Sequence, residues 1–160
     1  MVFKRSIYAG LIIVTLLFCF AGSVSANSTN TASQILSNIE EIMKNNPMPA
    51  GAKSQMIKID EDDSISLYLI RMLKGAELGP HYHKTHTETE YTIKGTGLLL
   101  VNDKWVEMKP GDVHYNPTGK VHGSKNIGKE PLVVLIMFTP AMKETDRYFI
   151  KYTIRRIRSA

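Results

Sequence analysis

Two stretches of the sequence decide its fold: residues 75–95 read GAELGPHYHKTHTETEYTIKG, and residues 111–126 read GDVHYNPTGKVHGSKN. In both, short runs of alternating or apolar residues are separated by the glycine, proline and asparagine residues that chain reversals need. The pattern extends outward and predicts ten strands: Gln55–Ile59, Ser64–Leu73, Gly79–His83, Glu88–Lys94, Gly97–Val101, Lys104–Met108, Val113–Asn116, His122–Asn126, Leu132–Phe138 and Arg147–Ile154. Many short strands separated by turns are typical of an all-β sandwich or barrel.

All five histidines of the chain lie between His81 and His122. In an extended segment, residues two apart point to the same face, so the imidazoles of His81 and His83 can reach one point. Glu88 opens the next strand after a short turn, and His122 begins a later one. We therefore expect three imidazoles and one carboxylate to converge from two neighbouring hairpins.

The spacing of the two stretches is specific. It runs Gly75-x5-His81-x-His83-x4-Glu88-x6-Gly95 and, after 15 residues, Gly111-x5-Pro117-x-Gly119-x2-His122-x3-Asn126. At each of these positions the chain resembles the two motifs of the cupin superfamily, and in particular its small single-domain (type 2) members. The resemblance implies a double-stranded β-helix, or jelly-roll barrel. It also implies one metal ion held by His81, His83, Glu88 and His122.

Imidazole nitrogens with one carboxylate oxygen form a borderline ligand set that suits divalent Fe, Mn, Ni, Cu or Zn. The ligand set does not select among these metals. Four protein ligands leave about two positions open on a six-coordinate ion, and a catalytic site keeps such positions for water, O2 or substrate.

Three further polar residues lie close to the predicted ligands in the sequence. Glu90 can act as an alternative ligand, as a partner of an imidazole N–H, or as an acid or base. His86 lies in a turn, where it either replaces a ligand or is exposed to solvent. His114 either lines the mouth of the barrel or fills its wall. We name Glu90 and His114 as the candidates for proton transfer.

The beginning of the chain is typical of a secretory signal peptide over residues 1–26. Lys4 and Arg5 precede an apolar run, and Val24-Ser25-Ala26 forms the cleavage site. We expect export to the periplasm or the extracellular space, with an uncleaved membrane anchor as the alternative. Cleavage would remove Cys19, the only cysteine, and would leave no stable membrane span.

The net charge of +5 lies mainly at the end of the chain. Residues 143–160 contain six basic and two acidic side chains, whereas residues 27–142 contain 12 basic and 13 acidic ones. The body therefore lacks the basic surface of a nucleic-acid-binding protein. Alternation of Tyr148, Ile150, Tyr152 and Ile154 predicts that the basic tail forms an edge strand.

Residues 27–50 are polar, with apolar side chains at helical spacing: Ile35, Leu36, Ile39, Ile42 and Met43. A capping box over Thr31–Gln34 indicates the start of a short amphipathic helix that ends before Pro47. The barrel is expected over residues 51–142. The helix and the tail are the candidate surfaces for a homodimer.

The resemblance implies a function at the metal. Cupins include dioxygenases that cleave diols or diketones, oxalate-degrading decarboxylases, sugar isomerases and lyases. We expect a metal-dependent enzyme, with a dioxygenase-type oxidoreductase as the leading class, acting on a small oxygen-rich molecule that chelates the metal. The alternative is a non-catalytic domain that binds a sugar or an organic acid and uses the metal structurally.

Overall fold

The computed structural model describes residues 35–151. Within them the chain forms α1 (Ile39–Asn45), β1 (Ser54–Glu61), β2 (Ser66–Met72), β3 (Glu77–Tyr82), β4 (Thr87–Lys94), β5 (Gly97–Val101), β6 (Lys104–Met108), β7 (Val113–Asn116), β8 (His122–Asn126), β9 (Leu132–Thr139) and β10 (Tyr148–Phe149). The predicted all-β class is confirmed. Each predicted strand overlaps an observed one.

The strands form two antiparallel sheets of five strands each. The first sheet has the order β1-β2-β9-β4-β7 and the second has the order β10-β3-β8-β5-β6. Apart from β1 with β2 and β5 with β6, strands that follow each other in the sequence lie in different sheets, so the chain passes back and forth between the sheets as a double-stranded β-helix. The site strands β3 and β8 therefore lie side by side in one sheet, while β4 belongs to the other.

The core lies between the two sheets and explains why β9 is apolar throughout. Alternate residues of β9, such as Val134 and Phe138, pack inward with Leu99 of β5 and Met108 of β6 in one buried cluster. Val133, which points to the other face, is also buried. A strand covered on both faces needs a continuous apolar run rather than strict alternation.

Helix α1 covers the outer face of the first sheet. Ile39, Ile42 and Met43 pack on a small cluster that contains Leu69 and Val133. Arg71 of β2 attaches the end of the helix segment to the sheet by donating from Nη2 to the main-chain carbonyl of Asn46 at 2.7 Å and to Gln55 at 2.6 Å.

The helix begins later than the apolar spacing predicts. Ile35 and Leu36 precede it and are exposed. The side chain of Asn38 accepts hydrogen bonds from the main-chain N–H groups of Glu40 and Glu41, so this residue is the N-cap. The capping box predicted at Thr31–Gln34 lies outside the described residues.

The predicted C-terminal strand is shorter than expected among the described residues. Only Tyr148 and Phe149 pair with β3, opposite Tyr82 and His81, at the edge of the second sheet. Its continuation through Tyr152 and Ile154 lies outside the described residues, as does the predicted signal peptide at residues 1–26. Between residues 35 and 151, no helix combines the length and the apolar character that a membrane crossing requires.

Two glycines at chain reversals have positive φ angles, 84° at Gly95 and 95° at Gly111. They differ in their surroundings. A Cβ on Gly95 would lie 2.5 Å from the main-chain oxygen of Pro131, whereas a Cβ on Gly111 would meet nothing within 4 Å. Gly95 therefore lets the end of β4 approach the start of β9, its neighbour in the first sheet.

Candidate metal centre

Four buried side chains from the two sheets converge at one end of the core. They are His81 on β3, His83 directly after β3, Glu88 on β4 and His122 on β8. One donor atom from each lies within 4.8 Å of the others, and each residue is at most 3% exposed. The structure thus brings together all four residues that the spacing predicts as metal ligands.

Each of the three imidazoles is oriented by a main-chain carbonyl. The distances from Nδ1 to the carbonyl oxygen are 2.9 Å for His81 and Gly79, 3.0 Å for His122 and Lys120, and 2.8 Å for His83 and Asp146. A carbonyl oxygen can only accept, so Nδ1 carries the proton in each ring. A neutral ring protonated at Nδ1 has its lone pair on Nε2, which faces the other ligands.

The surroundings of the three Nε2 atoms indicate that the site binds a cation. Nε2 of His83 lies 2.8 Å and Nε2 of His122 lies 3.2 Å from the same carboxylate oxygen of Glu88. Nε2 of His81 is buried and has no hydrogen-bond partner. Acceptors placed this close together require a cation between them, and a buried acceptor without a partner costs about 1–3 kcal/mol. The donor set therefore fits a divalent metal ion.

The protonation states also suit a metal. Burial, followed by the neighbouring His122, lowers the pKa of His81 to about 4, so the ring is neutral at pH 7. Burial alone would raise the pKa of Glu88, but the adjacent rings of His122 and His83 outweigh burial and hold that pKa well below its usual value, so the carboxyl group is ionised. A neutral imidazole and an ionised carboxylate are the forms that bind metal.

Glu90 lies next to the ligand group rather than in it. Its side chain is buried, accepts a hydrogen bond from Nδ2 of Asn116 at 3.3 Å, and shares a hydrogen bond with Glu88. Burial and then the charge of Glu88 raise the pKa of Glu90 well above its usual value. The raised pKa favours a protonated Glu90 carboxyl group, which donates its hydrogen bond to the Glu88 carboxylate.

His114 stands opposite Glu90 in the β4–β7 pair. It is partly buried, and its Nδ1 has no hydrogen-bond partner. Burial, with a smaller effect of His122, lowers the pKa of His114, which favours the neutral ring. The ring is therefore able to accept a proton.

A cavity of about 230 Å³ begins beside these two residues. The polar residues of its lining are Glu90, Thr92, Glu107, Asp112 and His114, and the apolar ones include Leu99 and Val106. The four metal-ligand candidates do not line it. Glu90 is thus the side chain that both borders the cavity and hydrogen-bonds to a metal-ligand candidate.

His86 is neither a ligand nor an exposed turn residue, which corrects both sequence-based expectations. It is buried; its Nδ1 lies 2.7 Å from a carboxylate oxygen of Asp146, and its Nε2 lies 3.2 Å from the main-chain oxygen of Ala141. Both ring nitrogens therefore have partners outside the metal group. The ring fastens the turn before β4 to the C-terminal segment.

Asp146 is the residue of the site that sequence reasoning missed. It comes 60 residues after His86 in a stretch predicted as a solvated basic tail, and no motif includes it. Burial alone would raise its pKa, but hydrogen bonds from Thr85 and His86 lower it strongly, so the group is ionised. The only sequence signal was that Asp146 is one of two acidic residues in a mainly basic stretch.

Comparison with known proteins agrees with this architecture. The family profile described as "Cupin domain" matches residues 68–138. An uncharacterized protein of Aquifex aeolicus is 32% identical over 111 residues, which is 69% of this chain and 88% of that protein. A crystal structure of a Klebsiella pneumoniae protein with a double-stranded beta-helix domain superposes with a TM-score of 0.63 at 21% identity, covering 76% of this chain and 100% of that one.

A relative with a named activity is similar over a shorter stretch. Glucose-6-phosphate isomerase of Thermococcus onnurineus is 40% identical over 65 residues. The alignment covers 36% of this chain and 34% of that enzyme. The similarity is therefore confined to part of the isomerase.

Proposed function

The chain belongs to the cupin superfamily, and from this premise we propose that it is an exported, metal-dependent enzyme acting on a small oxygen-rich molecule. The observation that carries the proposal is the position of Glu90. A protonated, buried carboxyl group that touches both a metal-ligand candidate and a cavity can exchange protons with a bound molecule. A site that only stores a metal has no need of such a group.

The metal, when bound, would supply a Lewis acid that polarises an oxygen atom of the substrate. His81, His83, Glu88 and His122 would hold it. The carbonyl groups that orient the three imidazoles keep each Nε2 aimed inward without any rearrangement on binding. This chain therefore supplies a preorganised and almost dry ligand set.

Proton movement is assigned to Glu90 and His114, which face each other across two paired strands. Glu90 holds a proton and can give it up; His114 is neutral and can accept one. The surroundings raise the pKa of Glu90 and lower that of His114, which favours a protonated carboxyl group beside a neutral ring. The cavity beside them has room for about eight water molecules, so we expect a small substrate.

The reaction belongs, in this proposal, to the dioxygenase, decarboxylase, isomerase or lyase types. A dioxygenase-type oxidoreductase is our first choice because about two positions would stay open on a six-coordinate ion, enough for O2 or for a chelating substrate. The similarity to the Thermococcus glucose-6-phosphate isomerase over part of the chain supports the isomerase type as a non-oxidative alternative.

The test combines metal analysis with a substrate screen. Purified protein is loaded with each of Fe, Mn, Ni, Cu and Zn, and is tested for O2 uptake and product formation with catechols, diketones, oxalate and uronates. Turnover that is lost in Glu90→Gln while metal content stays at wild-type level would support the proposal. If no metal-loaded form turns over any of these compounds, the enzymatic assignment is abandoned.

The second candidate is a non-catalytic domain that binds a sugar or organic acid and uses the metal to stabilise the barrel. The complete burial of the four ligand candidates favours it, because buried polar groups contribute to folding when a metal unites them. A metal-dependent rise in the temperature of unfolding, together with ligand binding but no turnover, would support this candidate.

Localisation and assembly complete the proposal. Export rests on residues 1–26, with an uncleaved membrane anchor as its alternative, and mass determination of the protein from the exporting host tests it. A homodimer through the helix or tail is tested by light scattering on the purified protein.

A further inference from the structure

The carboxylate of Asp146 organises the turn that connects the ligands His83 and Glu88. It accepts hydrogen bonds from the main-chain N–H groups of Lys84 at 3.1 Å and of Thr85 at 2.7 Å. The Thr85 hydroxyl donates to the same group at 2.7 Å, and the ring of His86 lies at the same distance. Asp146 is buried, so these bonds are shielded from water.

The main-chain carbonyl of Asp146 has a second task, because it accepts the N–H of Nδ1 of His83 at 2.8 Å. The carbonyls that orient His81 and His122 each lie two residues earlier in the same strand segment. The acceptor for His83 lies 63 residues away instead. The direction of the His83 ring therefore depends on where the C-terminal segment is docked.

The residues that follow Asp146 run along the edge of β3, the strand that carries His81. Phe149 is paired with His81 in the β10–β3 ladder, and their rings lie 5.5 Å apart. The N–H of Ile150 donates to the carbonyl of Pro80 at 3.0 Å. The segment 146–150 thus contacts two of the metal-ligand candidates at once.

We propose that Asp146 is a positioning residue of the metal centre: its carboxylate docks the segment 146–150 on the ligand-bearing turn, and its carbonyl thereby sets the His83 ring. This inference rests on the metal site of the proposed function and not on the reaction. Because the same contacts dock the segment and orient the ligand, metal binding and docking are coupled. If docking of the segment strengthens metal binding by a given free energy, metal binding must stabilise the docked segment by the same free energy.

The test is Asp146→Asn in the full chain, compared with Asp62→Asn as a matched control. Asp62 also accepts main-chain N–H bonds in a turn, at 2.6 Å from Ser64 and 2.9 Å from Ile65, but it contacts no ligand candidate. We expect Asp146→Asn to weaken Co(II) binding about 10- to 100-fold, in line with the loss of groups that orient metal ligands. Asp62→Asn should leave Co(II) affinity at the wild-type value.

Two further readouts separate positioning from general stability. The visible absorption of bound Co(II) reports ligand geometry, and we expect it to change in Asp146→Asn but not in the control. Hydrogen exchange of the Ile150 N–H should slow on addition of Co(II) to the wild-type protein. Thr85→Val removes one hydrogen bond to Asp146 and should weaken Co(II) binding by less than Asp146→Asn does. This variant serves as the test if Asp146→Asn does not fold.

The outcomes are distinguishable from those of the proposed function. If the wild type binds Co(II) and the Asp146 and Thr85 variants match it in affinity and spectrum, the positioning role is wrong, whatever their stability. If the variants behave as expected and no substrate turns over, the positioning role stands and the enzymatic proposal fails. A wild-type protein that takes up no Co(II) would overturn both.

Discussion

His81 and His122 stand opposite each other in the β3–β8 pair, with ring centroids 4.3 Å apart. Two protonated imidazoles this close together would repel each other, which is one reason why the pKa of His81 is low, after burial itself. The pair is therefore built for neutral rings whose lone pairs share one cation.

The first prediction concerns the ligands themselves. His81→Ala and His122→Ala should each lose bound metal, because either change removes one of three imidazoles from the set. Inductively coupled plasma mass spectrometry on the purified variants measures this. His114→Ala is the control and should keep its metal, since His114 lies outside the ligand group. Wild-type metal content in both ligand variants would place the metal elsewhere.

Metal should also stabilise the wild type and not these two variants. A ligand present at 100 times its dissociation constant adds about 2.7 kcal/mol to the free energy of unfolding. Thermal unfolding with and without a chelator measures the difference. An equal response of wild type and His81→Ala to the chelator would contradict the site.

The second prediction separates the roles of two carboxyl groups two residues apart. Glu88→Gln should lose metal, because an uncharged amide replaces the ionised ligand. Glu90→Gln should keep its metal. With a substrate that the wild type converts, this variant should have a kcat lower by about 10²- to 10⁴-fold, the usual contribution of a positioned acid. Metal content and kcat are measured on the same preparations. The reverse pattern would make Glu90 the ligand.

The third prediction is the pH dependence of the metal-free protein. The folded-state pKa of His81, about 4, lies below its ordinary value of 6.5. The unfolded chain therefore takes up this proton first as the pH falls, so the contribution of His81 lowers the stability from pH 6.5 down to about pH 4 and is then constant. The full effect of this group is about 3 kcal/mol.

Urea denaturation of wild type and His81→Gln at pH 7 and pH 4.5 checks this value. The difference between the two proteins isolates His81 from other groups, including Glu90, whose raised pKa acts in the opposite direction. We expect the wild type to lose more stability than the variant over this interval. Parallel curves for the two proteins would show that His81 does not titrate as described.

The fourth prediction uses two glycines as a matched pair. Gly111→Ala adds only the backbone cost of a positive φ, about 1–2 kcal/mol, because nothing lies near the new Cβ. Gly95→Ala adds the same cost and also a clash with the main chain of Pro131 and Leu132. The free energy of unfolding should therefore fall further in Gly95→Ala. Equal losses would mean that the β4 and β9 backbones separate without cost.

The motif spacing predicts much of the fold and the four clustered ligand candidates because both depend on local rules. Turn residues mark where strands end, and residues at i and i+2 share a face, which is enough to bring His81 and His83 together. The pairing of β3 with β8 was not predicted, because strand partners distant in the sequence are not specified by local spacing.

The sequence does not predict contacts made across long separations. The bond between His86 and Asp146 spans 60 residues, and each residue taken alone is typical of an exposed turn or tail. The start of α1 was also misplaced, because Asn38 competes with earlier residues for the capping position and the structure uses Asn38. Such choices depend on tertiary packing, which periodicity does not report.

The dependence of His83 on a carbonyl near the C-terminal end has a consequence for the order of events during synthesis. His81, Glu88 and His122 are synthesised before Asp146, and a chain that ends before Asp146 lacks the carbonyl group that orients the His83 ring. Metal captured at that stage would meet an unfinished ligand set. We therefore expect tight metal loading only after the C-terminal segment has been synthesised and has docked.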